Sequence, residues 1–134
     1  MAQTQSPTTE GYAEIAKLVA GEGATEVESI VCIKTDCTAD ASQTYAGITK
    51  CDESGVALAA ADTVVTSTTT ATDDTVEVDH VFTAGESVTV KGFGICNNDD
   101  DVLFALCCFN ADIPLENGDT LTVEMKMQIK VGSA

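Results

Sequence analysis

From Leu121 to Val131 apolar and polar residues alternate without a break. Leu121, Val123, Met125, Met127, Ile129 and Val131 share one parity, and Thr122, Glu124, Lys126, Gln128 and Lys130 share the other. A period of two puts each set on its own face of an extended chain, so the segment predicts a half-buried strand. Residues 75–84 repeat the pattern, with Val76, Val78, His80, Phe82 and Ala84 set against Thr75, Glu77, Asp79, Val81 and Thr83. The Thr- and Val-rich stretch 63–72 suits a half-exposed partner strand, and Thr72-Asp73-Asp74-Thr75 is the turn of the resulting hairpin. Two further segments are apolar on both faces: Ile30-Val31-Cys32-Ile33 within 27–34, and 102–109. Such runs predict strands covered on both sides. Residues 88–95 make another strand, in which Gly92 and Gly94 predict a bulge or a close approach. Residues 56–60 predict a short strand.

Only one segment changes period. Tyr12, Ile15, Leu18 and Val19 fall at helical spacing, and Gly21 stands where a helix C′ residue belongs. The spacing predicts a short amphipathic helix over 10–20, with the subunit's own core as the default partner of its stripe. Residues 35–54 are polar and predict a long loop, with room for a short strand near Tyr45–Thr49. Pro114 predicts a chain break, and Glu116-Asn117-Gly118-Asp119 a tight turn. Residues 1–8 are polar and predict a flexible N-terminal arm, leaving 9–134 as a single β domain. Six or more strands with turns between them predict a mostly β fold, an antiparallel β-sandwich or jelly-roll-like barrel with one short N-terminal helix. No βαβ rhythm occurs, which argues against a parallel sheet.

Charge narrows the partners. The 134 residues carry 22 acidic side chains against 6 basic ones, a formal charge of −16, and every basic residue is lysine. Without arginine the chain lacks the planar fork that grips phosphate, and its net charge repels nucleic acid and anionic lipid. The acidity itself reads as a solubilising surface, or as one that attracts cations. The first residues lack the basic and apolar regions of a secretory signal, and no run approaches the roughly 20 apolar residues of a membrane span. The expectation is synthesis in a host cytoplasm, with no nucleic acid, membrane or small-molecule substrate as partner.

Little here speaks for catalysis. Nucleophilic triads need a base, and the single histidine, His80, falls mid-strand on the apolar parity of 76–84. There is no Gly-x-Ser-x-Gly elbow and no phosphate loop; Gly92-Phe93-Gly94 leads to a turn rather than a helix. The expectation is a non-enzymatic chain with no catalytic, cofactor-binding or metal residues. Asn97-Asn98-Asp99-Asp100-Asp101 is the densest set of oxygen ligands, but lacks the spaced acids of a calcium loop and reads first as a solvated turn.

The cysteines are the open question. Cys32, Cys37, Cys51, Cys96, Cys107 and Cys108 include no Cys-x-x-Cys, which argues against zinc. Buried thiols serving as small apolar side chains are one reading, and disulfides formed outside the cell are the other. For disulfides, Cys32 and Cys37 are the nearest local pair, joined through a turn at Thr35-Asp36. Adjacent strand residues point to opposite faces, so Cys107 and Cys108 are poor partners for each other. They match better with Cys51, Cys96 or a neighbouring chain.

The order of elements resembles a known family. Tyr12-Ala-Glu-Ile-Ala-Lys-Leu-Val-Ala-Gly21 comes first, then Asp52-Glu-Ser-Gly-Val-Ala-Leu-Ala-Ala-Ala61 and the Thr-rich hairpin at 63–84. Val88-Thr-Val-Lys-Gly-Phe-Gly-Ile-Cys-Asn97 and Leu115-Glu-Asn-Gly-Asp-Thr-Leu-Thr-Val-Glu124 follow. This is similar to small virion proteins of tailed bacterial and archaeal viruses, the head-decoration and tail-fibre-like proteins. Members of that family carry a strand ending in a Gly-Ile/Val-Phe-Asn pattern and a final Ser/Asn-Gly-Asp-Thr-Leu-Thr-Val strand. The six cysteines and the acidity depart from the family pattern. The resemblance implies a structural subunit on the virion, commonly a homotrimer, partnered by itself and by major capsid or tail proteins. An outer capsid decoration or cement role comes first, and a tail-fibre or tail-appendage subunit that binds a host receptor second. The second would call for exposed aromatics to stack on sugars, and the chain has two tyrosines and no tryptophan.

Overall fold

The computed structural model describes residues 3–97 and 101–130. It is a sandwich of two antiparallel sheets with one helix. Among the described residues there are eight strands: β1 Gln3–Pro7, β2 Val27–Ile33, β3 Ala59–Ala60, β4 Thr63–Ser67, β5 Thr75–Thr83, β6 Val88–Asn97, β7 Leu103–Leu115 and β8 Thr120–Gln128. The helix α1 spans Thr9–Ala20. One sheet has the order β1-β7-β6-β2-β3 and the other the order β4-β5-β8.

The alternating segments form the smaller sheet, and their parity decides what they bury. β5 pairs with β8 over nine positions, from Thr75↔Gln128 to Thr83↔Thr120. Val78, Phe82, Val123 and Met125 turn inward and are buried, while the opposite parity is more exposed, apart from Thr75, which is buried at the start of β5. The two-faced apolar segments β2 and β7, with β6 between them, form the centre of the larger sheet, and both of its faces are covered. Ile30, Cys32, Val90, Phe93, Ile95 and Cys107 face the smaller sheet in the main core. Val31, Ile33, Cys96, Leu103, Leu106 and Cys108 face the other way into a second core. That second core is closed by the loop 34–58 through Cys37, Ala39, Tyr45, Ile48 and Leu58. Each strand is therefore apolar on both sides because each side has its own cover.

Turn chemistry follows the sequence at most junctions. Thr8 caps α1, its hydroxyl accepting from the Gly11 N–H at 3.0 Å. Gly21 ends the helix at φ 71, and the Glu22 N–H donates to the Lys17 carbonyl at 2.9 Å. The predicted bulge near Gly92 is present as a register shift between Val90 and Gly92. Asp74 organises the β4–β5 turn: its carboxylate accepts from the backbone N–H groups of Thr69, Thr70 and Ala71 and from Gln128 Nε2. Those donors, the backbone N–H groups first, hold its pKa well below the usual carboxylate range. A depressed carboxylate stabilises the fold fully above its unfolded pKa of about 3.9, and the contribution is lost as pH falls through the folded value. The melting temperature of Asp74→Asn is therefore expected to lie below that of the parent near neutrality, with the gap closing below about pH 4. A gap that stays constant through acidification contradicts this role.

Four expectations need correction. The arm expected over 1–8 is not free: Gln3–Pro7 pairs with β7, from Gln3↔Phe109 to Pro7↔Ala105, because the exposed edge of β7 offers unpaired backbone groups. Tyr45–Thr49 forms no strand; an isolated Ile33↔Lys50 bridge just beyond it meets the end of β2. Pro114 does not break the chain, since β7 runs through it to Leu115 with Thr89↔Pro114 in register. β1 reaches only as far as Phe109, so Pro114 stands where β7 is an edge and a missing N–H costs no ladder bond. The helix stripe does not simply face the core either. Ile15 packs on the core, but Tyr12 and Val19 are exposed. The final strand stops at Gln128, and Val131 lies outside the described residues.

Candidate functional site

Two features exceed what a plain sandwich requires: the cysteine-bound loop on the outer face of the larger sheet, and an apolar groove where the helix and the β2–β3 edge meet the smaller sheet.

The loop layer begins as β2 ends. Thr35 takes φ 72, and the Asp36 N–H donates to the Lys34 carbonyl at 2.9 Å, a one-residue reversal that folds the chain across the outer face. This carries Cys37 over β7, where it forms a disulfide with Cys108 at a Cα separation of 5.6 Å. Gly92 makes the room. A Cβ there would stand 2.3 Å from the Cys107 carbonyl oxygen and 2.6 Å from Cys37 Sγ. Gly92→Ala is accordingly expected to cost about 1–3 kcal/mol by overpacking, read from the urea midpoint. An unchanged midpoint would mean that the disulfide does not need this gap.

The expected Cys32–Cys37 bridge does not form. Strand alternation puts Cys32 in the main core, whereas Cys37 lies against the second core on the other side of the sheet. The match of Cys108 to Cys51 or Cys96 also fails, since Cys37 is its partner. The divergence of Cys107 and Cys108 holds: Cys107 points into the main core and Cys108 into the second. Cys32, Cys51 and Cys107 are buried thiols, and Cys96 is buried with its Sγ donating to the Ser29 carbonyl at 3.6 Å. Burial pushes the Cys107 thiol pKa up.

At its far end the loop returns alongside β2. The Lys34 N–H donates to the Thr49 carbonyl and the Cys51 N–H to the Cys32 carbonyl, each at 2.9 Å, which sets Cys51 directly opposite Cys32. The neighbouring Cys51 thiol, then burial, pushes the Cys32 pKa up. Lys34 Nζ meets Asp52 at 2.8 Å and Glu53 at 3.2 Å above this pair. Lys50 Nζ caps the Tyr45 carbonyl at 2.7 Å and sits over the Tyr45 ring. A loop of this length without regular structure needs such ties to stay on the sheet.

The groove lies between α1, the β2–β3 edge and the smaller sheet, with a volume of about 720 Å³. Leu18, Val19, Ala60, Val64, Met127 and Ile129 line it, and Glu26 and Glu28 are its charged members. Val19 is 86% exposed, Ile129 58% and Val64 41%, so this apolar surface meets solvent in the single chain. Beside it β4 is the outer strand of its sheet.

His80 and Asn97 are each tied to neighbouring carboxylates. His80 Nδ1 lies 3.0 Å from Asp62 Oδ1 and its ring stands edge-on to Phe82 at 4.5 Å. The Val81 N–H, then His80, hold the Asp62 pKa low. Asn97 is buried and bridges Glu14 Oε2 at 3.2 Å to Asp101 Oδ1 at 3.0 Å, tying β6 to the helix. Of the acidic run, Asn98, Asp99 and Asp100 lie outside the described residues. Among the described residues no three His, Cys, Asp or Glu side chains gather in a way that could hold a metal ion. No family model, curated protein or solved structure significantly matches the chain.

Sequence reasoning missed Gly92 as the seat of the disulfide and Cys51 as the neighbour of Cys32. A signal for the first was present: a glycine in a two-faced apolar strand marks a close approach from one side. Nothing in the local pattern announced the second, because the 49–51 return follows a loop whose path no periodicity describes.

Proposed function

We propose that the chain is a non-enzymatic structural subunit of a tailed-virus particle, an outer capsid decoration protein that joins its neighbours through the apolar groove. The observation that carries the reading is that groove. Copies with a formal charge of −16 repel one another except where charge is sparse, and the groove lining is apolar apart from Glu26, Glu28 and Thr66. The occupant is a second copy of the chain, laid along the groove and the open edge of β4. The sequence resemblance to virion decoration and tail-fibre-like proteins supports the setting, and a sandwich with a tied-down loop layer suits a subunit that works outside the cell. Capsid proteins are the second class of partner.

Sedimentation velocity at micromolar concentration is expected to show an oligomer, a trimer first. The double substitution Val19→Asp with Ile129→Asp is expected to shift it to monomer without lowering its melting temperature. A monomeric parent chain contradicts the groove as a self-contact. Particle composition tests the setting: quantitative mass spectrometry of purified particles is expected to find the chain in copy number comparable with the major capsid protein. A few copies per particle would instead indicate a tail appendage, and absence from the particle overturns both virion readings.

A further inference from the structure

We propose that Cys32 and Cys51 are a second, oxidisable cysteine pair, a modification site that closes to a disulfide and locks the return of the loop 34–58 onto β2. The inference rests on register and does not depend on the assembly proposed above. Ile33 and Lys50 form an antiparallel bridge, so the next pair outward is Cys32 and Cys51, directly opposed across the two segments. The Cys51 N–H to Cys32 carbonyl bond of 2.9 Å confirms that opposition. Opposed antiparallel residues have Cα atoms about 4.5–5.5 Å apart, which falls within the range that disulfides span. Both side chains belong to the same core cluster, so both point to the same face. Cys96 and Cys107 have no such opposed cysteine in the strand pairing: Cys96 pairs with Ser29 and Leu103, and Cys107 with Phe93 and Gln5.

The chemistry balances with a small-molecule disulfide, R–S–S–R, as oxidant. Cys51 is the attacking thiol, because it lies on the loop end that lifts away from β2, whereas Cys32 stays within the sheet. Cys51 gives up its proton to water and attacks one sulfur of R–S–S–R, forming the mixed disulfide Cys51–S–S–R and releasing RS⁻. Cys32 passes its proton to that RS⁻, giving RSH, and attacks the Cys51 sulfur. The S–S bond to R breaks, the second RS⁻ leaves and takes a proton from water, and the Cys32–Cys51 bond is formed. Two protein thiols are oxidised by two electrons, and one R–S–S–R is reduced to two RSH. Cys32 is 0% exposed and Cys51 3%, so the exchange takes place while the loop end is lifted from β2, by local opening or before folding is complete. Closure then converts the loop end from a segment held by a bridge and ion pairs into one covalently tied to the sheet. The loop would be fixed at both ends, to β7 through Cys108 and to β2 through Cys32.

The lysines make the test direct. Cleavage after every lysine places Cys32 in peptide 18–34, Cys37 in 35–50, Cys51 in 51–91 and the remaining three cysteines in 92–126. The folded protein is incubated with oxidised glutathione, denatured in an alkylating agent without reductant, digested and analysed by mass spectrometry. The expected result is two cross-linked species, 18–34 with 51–91 and 35–50 with 92–126, each lighter than its parts by two hydrogens. The proposal is overturned if 18–34 and 51–91 appear separately and alkylated at every glutathione concentration while the other link is intact. It is equally overturned if Cys32 is found linked to 92–126. In single variants, Cys32→Ala is expected to trap a glutathione adduct on Cys51, whereas Cys51→Ala leaves Cys32 unmodified in the folded protein. The reverse pattern overturns the assigned order of attack.

Discussion

Cys37→Ser is expected to lower the melting temperature by on the order of 15 °C, and Cys108→Ser by the same amount. The disulfide spans 71 positions of sequence. Closing a loop of that size removes unfolded-chain entropy equivalent to about 4 kcal/mol at room temperature. For a domain of this length each 1 kcal/mol moves the midpoint by about 4 °C. The bond also holds the loop 34–58 over the second core, so its removal is expected to expose Leu106 and Ile48 to solvent exchange before the main core opens. Differential scanning calorimetry of the two variants, and of the parent with and without reductant, checks this. A shift of only a degree or two would mean that the loop is held by its apolar contacts and ion pairs alone.

Phe82→Ala is expected to cost about 3–5 kcal/mol. Phe82 is 1% exposed and is the largest of the fully buried side chains. It sits on β5, the central strand of the three-stranded sheet, opposite Leu121 and against the edge of the His80 ring. The main core it belongs to holds Phe93 and Phe104 besides Val, Ile, Ala, Leu, Cys and Met. Those neighbours are held by their own strands in a close-packed interior, so the cavity left by the phenyl ring is expected to persist. Urea unfolding followed by far-ultraviolet circular dichroism measures the loss. A change below about 1 kcal/mol would show that the two sheets close over the gap.

The parts of the fold that were legible are those in which one periodicity governs both propensity and burial. Val76 to Ala84 and Leu121 to Gln128 declared their inward faces because a strand covered on one side must alternate. Gly21 declared the end of the helix because a left-handed C′ residue is nearly always glycine. The two-faced runs in β2 and β7 correctly implied cover on both sides, but not what supplied it. That cover is the loop 34–58, whose apolar contacts Cys37, Ala39, Tyr45 and Ile48 are spaced by chain path rather than by a helical or strand period. For the same reason the cysteine pairing was illegible. Cys32 and Cys37 are close in sequence, yet a strand parity and a one-residue reversal put them on opposite faces of a sheet. β1 was illegible because Gln3–Pro7 is polar and gains its strand conformation from the open edge of β7 rather than from its own pattern. The groove was half legible: the amphipathic stripe of α1 was visible, but its turning outward at Val19 depends on where the two sheets leave a gap.

The most direct test of the proposed role is a cryo-electron-microscopy reconstruction of purified particles at a resolution that separates strands. The account predicts repeated densities on the outer surface of the head lattice, each fitting this eight-stranded sandwich, with a neighbouring copy seated on the groove lined by Val19, Val64 and Ile129. A head surface without such density, or the sandwich placed there with that groove open to solvent, would contradict it.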